Sequence, residues 1–226
     1  MTALPPRARN RLAKERRILD SALKVFADQG YSGTSMDAIA ALAGVSKPTL
    51  YQYFGSKEQL FTAIMVEQRD TMLGAFEEPD GLGLVPELWA FSWHYADTVL
   101  RPDFLSLARL IIGEAQRFPE IGRAYQAAGP ERMLAGMMDY LSARKAEGRL
   151  AFDDAEMAAE DLWGLILSAP RNRALHDPEN LPTRADLQRF ITNGLRVFLK
   201  AYSTHPAEDL AQLQALNEQG PTQGTP

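Results

Sequence analysis

Cysteine is absent from the 226-residue chain. Disulfides, thiolate metal centres and cysteine nucleophiles are therefore excluded. Histidine is scarce: His94, His176 and His205 stand far apart in sequence. The local pairs His94–Asp97 and His176–Asp177 come with no nucleophile motif, and His94, Asp97 and Glu114 are the one grouping that invites a metal. No glycine-rich phosphate loop follows a strand, because no strand pattern is evident. Catalytic residues, metals and cofactors are accordingly not expected, and neither is an enzyme. Long hydrophobic runs are missing too. No stretch approaches the roughly 18 to 20 apolar residues of a membrane span, and the charged start "MTALPPRARNRLAKERR" lacks a signal-peptide core. A cytoplasmic protein with no membrane contact is the expectation.

What is present suits one or two domains with a sizeable core: 46% apolar and 23% charged residues. The net charge of −5 hides an asymmetry. Residues 1–60 carry nine Lys/Arg against five Asp/Glu, and the rest fifteen against twenty-four. Six of the nine precede Ile18. A basic end on an acidic body fits either a polyanion contact made by one part only or a solvated arm.

Periodicity is helical almost throughout. Ile18, Ala22, Val25 and Phe26 form one stripe on a helix over about 9–29, closed by Gly30. "TSMDAIAALAG" reads as a short helix capped by Thr34 or Ser35 and stopped by Gly44. Ser46 caps a third helix to about Phe54, and Ser56 a fourth that runs to about Phe76. "EEPDGLGLVP" breaks the chain. Longer helices follow: 86–100 and 102–118, each opening on proline, then 130–148, 154–176 and 184–202. The predicted fold is all-α. A three-helix head over 1–65, with its helix-turn-helix at about 35–54, precedes a larger helical body over 66–203 and a flexible polar tail over 204–226.

Two short helices joined by a glycine turn, "SMDAIAALAGVSKPTLYQYF", match the helix-turn-helix pattern. Met36, Ile39, Ala40, Ala43, Val45, Leu50 and Phe54 can share one core with Ile18, Val25, Phe26, Leu60 and Phe61. Lys47 and Tyr51, four apart, then lie on the opposite face. Lysine can reach guanine acceptors or a phosphate, and a tyrosine ring can pack on a thymine methyl. Thr49 and Tyr53 hydroxyls suit phosphate oxygens. Lys57 stands in the first turn of the next helix, beside exposed backbone N–H groups, where a phosphate fits. With Thr34 and Ser35 these residues form the candidate DNA-contact set.

The elements "ALKVFADQGY", Thr34–Ser35 with Ile39–Ala40, "AGVS", "TLYQYF" and "SKEQL" occur in the order and spacing of the DNA-binding domain of the TetR family of transcriptional regulators, which this stretch resembles over about 50 residues. Proline at position 48 departs from the glycine often found there and removes one backbone donor for phosphate. The resemblance implies a homodimer that binds a palindromic double-stranded operator, most often as a repressor released by a small molecule bound in the body. It also implies a four-helix interface from Asp154–His176 and Arg184–Tyr202. The apolar positions there (Leu162, Trp163, Leu165, Ile166, Phe190, Ile191, Leu195, Val197 and Phe198) exceed what one face needs for its own body. Trp89, Trp93, Tyr95, Phe104, Met133, Met137 and Trp163 can line an effector pocket, with His94 and Arg171 as polar anchors. That composition points to an apolar or aromatic effector. A helical interaction module that lost DNA binding is a competing reading, and the basic arm with Lys47, Thr49, Tyr51 and Lys57 argues against it.

Overall fold

The structure, a computed structural model, describes residues 5–73 and 82–220. Among them the chain is helical: α1 Pro6–Gly33, α2 Met36–Ala43, α3 Lys47–Phe54, α4 Lys57–Leu73, α5 Leu84–Val99, α6 Pro102–Glu114, α7 Pro119–Ala128, α8 Pro130–Ala146, α9 Ala155–His176, α10 Arg184–Tyr202 and α11 Pro206–Gln219. The only extended pairing among the described residues is an isolated antiparallel bridge, Leu150 with Ser203. No helix among the described residues is long and apolar enough to cross a membrane.

Two compact units form. One takes the chain up to Gln68 together with Ser106–Gly129, and the other Arg69–Leu105 together with the chain from Pro130 onward. This differs from a body running unbroken over 66–203. Leu107, Ile111, Ile121 and Ala128 are buried in the same cluster as Ile18, Phe26, Ile39, Leu50 and Phe61, so this part of α6 and all of α7 belong to the head. The α7 helix has no counterpart in the sequence reading. Its proline start and its stop at Gly129 were legible signals, but the stripe is only ten residues long.

The head is held by an aromatic nest. Phe26 stacks on Tyr31 at 5.6 Å, and Phe61 meets both rings edge-on at 5.4 and 5.5 Å. Phe118 closes the group against Tyr31 at 5.3 Å. Full burial of a phenylalanine, as for Phe26 and Phe61, stabilises by roughly 1.5–3 kcal/mol. Gly30 has φ +71° and kinks α1 one turn before its end, a backbone geometry that favours glycine.

In the body α9 and α10 pack with no room between them. A Cβ on Gly194 would lie 2.7 Å from the Leu165 carbonyl carbon and oxygen. Leu162, Ile166, Ile191, Leu195 and Phe198 are fully buried in the protomer's own core. This corrects the expectation that they are surplus, since the long apolar stripes of α9 and α10 first serve each other. Val197 stays 37% exposed and Met157 53%, while Trp163, Leu165 and Phe190 are half-buried.

The flexible tail is also corrected. Thr204 to Gln219 is ordered, with α11 packing Leu213 into the body and Leu210 and Leu216 against it. Asp209 is fully buried. It takes the Arg149 guanidinium at 2.8 Å and the Ser203 hydroxyl at 2.6 Å, as a buried charge requires. The part of the expected α4 beyond Leu73 and the polar end beyond Gly220 lie outside the described residues.

Candidate nucleic-acid interface

The helix-turn-helix forms where local chemistry dictates. Ser35 caps α2 by accepting the Ala38 N–H at 3.1 Å. Gly44 ends it in the left-handed region with φ +62°. Its N–H donates to Ala41 O, and the Val45 N–H donates to Ala40 O at 3.0 Å, which satisfies carbonyls left open at the helix end. Ser46 caps α3 through the Thr49 N–H, and its hydroxyl meets the Thr49 hydroxyl at 2.8 Å. Proline at position 48 falls in the first turn, where no helical N–H is lost.

The α3 helix has two faces, as its spacing predicts. Leu50 and Phe54 are buried. Tyr51 is 43% exposed, and Lys47, Pro48 and Gln52 are exposed beside it. Tyr53 is half-buried, packed on the head core with its ring 6.1 Å from that of Phe54. A groove of about 380 Å³ opens between α1 and α3, lined by Arg11, Lys14, Thr49, Gln52 and Tyr53. Two cations and three neutral hydrogen-bonding side chains around one groove suit a phosphate. Arg11, Lys14 and Gln52 were not among the predicted site residues. The basic arm was legible as charge, but its register against α3 is a tertiary fact.

Two predicted residues are placed differently. Thr34 is buried, and its hydroxyl donates to Gly30 O at 2.7 Å and to Val25 O at 3.3 Å. It ties the end of α1 and does not face outward, because the α1 kink leaves carbonyls that need a donor. Lys57 turns back as well. Its Nζ donates to Tyr31 O at 2.8 Å and Thr34 O at 3.2 Å, and sits 4.4 Å from the Tyr31 ring centre. Two of its three N–H groups are thus engaged within the head. The backbone N–H groups of α4 have a carboxylate of their own: Glu58 is held below its ordinary pKa by its own backbone N–H, and next by the Ser56 hydroxyl.

Lys47 is the most constrained of the outward residues. Its ammonium lies 2.8 Å from Asp37 Oδ1 and 3.0 Å from Oδ2. The hydrogen bond to Asp37 raises its pKa above the ordinary lysine value.

In the body, Trp89, Trp93, Phe104, Met133 and Met137 share one buried cluster, with Trp163 and Tyr95 packed against it. Trp93 meets Trp89 edge-on at 5.9 Å and carries the Arg184 guanidinium over its face at 4.2 Å. Trp163 stacks on Tyr95 at 6.3 Å. The indole N–H groups of both Trp93 and Trp163 are buried with no hydrogen-bond acceptor. The two polar anchors do not join this cluster. His94 is exposed, and Arg171 lines an open groove on α9 with Ser168, Ala169, Asn172 and Leu175. The acids once grouped with His94 have other partners: Asp97 pairs with Arg184, and Glu114 accepts the Ser32 N–H.

Comparison with known proteins agrees with this layout. Residues 18–64 match the family model for bacterial regulatory proteins of the tetR family, and residues 86–204 match the C-terminal domain of AefR-like transcriptional repressors. A solved TetR-family transcriptional regulator from Mesorhizobium loti is 31% identical, with a TM-score of 0.76 over 85% of this chain and 98% of its own. The flavonoid-responsive regulator FrrA is 33% identical with a TM-score of 0.71, over the same shares. Among curated proteins, the transcriptional activator FasR of Mycolicibacterium smegmatis is 42% identical over 72 residues, 30% of this chain and 33% of its own. The regulator RutR of Escherichia coli K12 is 44% identical over 75 residues, 32% of this chain and 35% of its own. The chain thus spans about a third of the length of the curated relatives it matches.

Proposed function

Because the chain belongs to the TetR family of bacterial regulatory proteins, we propose that it is a sequence-specific DNA-binding transcriptional regulator, a homodimer that represses from a palindromic operator until a small aromatic ligand releases it. The observation that carries the reading is the outward face of α3. Lys47 and Tyr51 stand free of the core there, next to the groove of Arg11, Lys14, Thr49, Gln52 and Tyr53. In this reading Lys47 and Tyr51 reach base edges in the major groove, and the groove residues with Ser35 position the backbone. Lys57 offers one remaining N–H to a phosphate. The whole head is the DNA-binding domain and the body the regulatory and dimerisation domain, with Val197, Met157 and the half-buried Phe190 as outward apolar positions for a second copy.

Repression is supported by the AefR-like repressor model that matches residues 86–204. An aromatic effector is supported by the tryptophan and methionine lining of the body core, and by the responsiveness to flavonoids in the name of FrrA. Trp93 and Trp163 each offer a buried N–H without an acceptor. A planar ring system bearing oxygen acceptors suits such walls better than a pure hydrocarbon. The ligand must bind the DNA-released state more tightly than the DNA-bound one.

The test is selection from a random duplex pool, followed by a salt titration. An inverted repeat should be enriched, and its affinity should fall steeply as salt rises. Enrichment of no sequence at any salt would refute the reading. Oxygenated aromatics that raise the melting temperature should also release the selected duplex.

A further inference from the structure

The Asp37–Lys47 pair does something that fold stability does not explain. Both oxygens of Asp37 hold the Lys47 ammonium, at 2.8 and 3.0 Å, yet the two side chains are 64% and 54% exposed. Exposed pairs contribute little to stability. This one lies across the helix-turn-helix, joining the first turn of α2 to the first residue of α3, on the side where Tyr51 emerges.

Its placement has two electrostatic consequences. The first turn of a helix attracts anions, because its N–H groups are free and its dipole is positive. Asp37 fills that place on α2 with a fixed carboxylate, so a DNA phosphate arriving there meets a negative charge. An unheld lysine, in turn, binds any phosphate in reach and adds affinity without sequence preference. Asp37 cancels most of that charge at a distance and restricts a long, flexible side chain to one place. A group held in register can discriminate between base edges in a way that a mobile cation cannot.

We infer that Asp37 is a specificity-determining residue of the DNA-binding head, one that lowers attraction to arbitrary DNA and fixes Lys47 for base-edge contact. The inference rests on the docking face proposed above and extends it to an acidic residue that the basic footprint of a DNA-binding surface would not single out.

The test compares wild type, Asp37→Asn, Lys47→Ala and the double variant by fluorescence anisotropy. The probes are the duplex that wild type selects from a random pool and a scrambled duplex of equal length, each at several salt concentrations. Asparagine keeps the shape and removes the charge, and Asp37→Ser serves as a second variant should Asp37→Asn melt early. Asp37→Asn should bind scrambled DNA several-fold more tightly, with a salt slope steeper by about one ion per head. Its preference for the selected duplex should fall. In the Lys47→Ala background the same change should steepen the slope less, since only the repulsion at the α2 N-terminus is then relieved. The inference is overturned if Asp37→Asn leaves the slope and the preference at wild-type values, or if the full steepening persists without Lys47. Failure of the docking face itself reads differently: Lys47→Ala would then keep full wild-type preference, whatever Asp37→Asn does.

Discussion

The head and the body both close aromatic cores, but among the described residues only the head sets an aromatic ring, Tyr51, out at its surface. In the head, Phe26, Tyr31, Phe61 and Phe118 close a compact nest, while Tyr51 stands outward on α3 and Tyr53 straddles core and groove. In the body, Trp89 and Trp93 are buried, and Trp163 and Tyr95 pack against the same core. Polar chemistry follows the same division. The head presents Arg11, Lys14, Lys47 and Gln52 at its surface, whereas the body buries two indole N–H groups without acceptors. Under the proposed function, outward charge on the head suits a polyanion, and unpaired donors within the body suit a small ligand bearing acceptors.

The largest effects should come from breaking the cores that make this contrast possible. Phe26→Ala removes the centre of the head nest and should cost about 3–5 kcal/mol in urea unfolding, abolishing DNA binding with it. In the body, Gly194→Ala places a Cβ where backbone atoms of α9 stand at 2.7 Å. It should destabilise by about 1–3 kcal/mol and leave the head's own contacts intact. The outward face should behave in the opposite way. Lys47→Ala with Tyr51→Ala should lose about 1–3 kcal/mol of sequence discrimination per base contact, while the melting temperature stays near wild type, because exposed positions away from caps and cores change stability by less than about 0.5 kcal/mol. Ser35→Ala removes the α2 cap at a cost of about 1 kcal/mol, visible in the unfolding midpoint. Smallest is Lys14→Ala, which should weaken binding evenly across sequences and lower the salt slope by about one. A base-specific effect of Lys14→Ala would move it from the groove's positioning role to the reading face and blur the comparison.

The two units also differ in how far their roles could be read from sequence. Helix α3 was legible down to its faces, because Ser46 caps it and Leu50 and Phe54 repeat at helical spacing. Thr34 and Lys57 were less legible. Both sit at helix starts, where exposed N–H groups invite a phosphate, but the kink at Gly30 leaves carbonyls that both residues serve instead. Which carbonyls come within reach of these side chains is a tertiary fact that no local pattern reports. In the body, the apolar stripes of α9 and α10 were plain, but how much of them the protomer buries by itself depends on the close crossing at Gly194. Helix α11 was hidden by its polar composition: Leu210, Leu213 and Leu216 are its only apolar stripe, and Asp209 finds Arg149 sixty residues away. His94 and Arg171 read as polar anchors in sequence, but His94 is exposed and Arg171 lines an open groove on α9.

The central claim is that the outward face of α3 reads DNA. It is tested most directly by selection from one random duplex pool with wild type and with the Lys47→Ala, Tyr51→Ala double variant, both shown to melt alike. Wild type should enrich an inverted repeat and the variant should enrich none, while both retain salt-sensitive binding to bulk DNA. Enrichment of the same repeat by the variant would contradict the account.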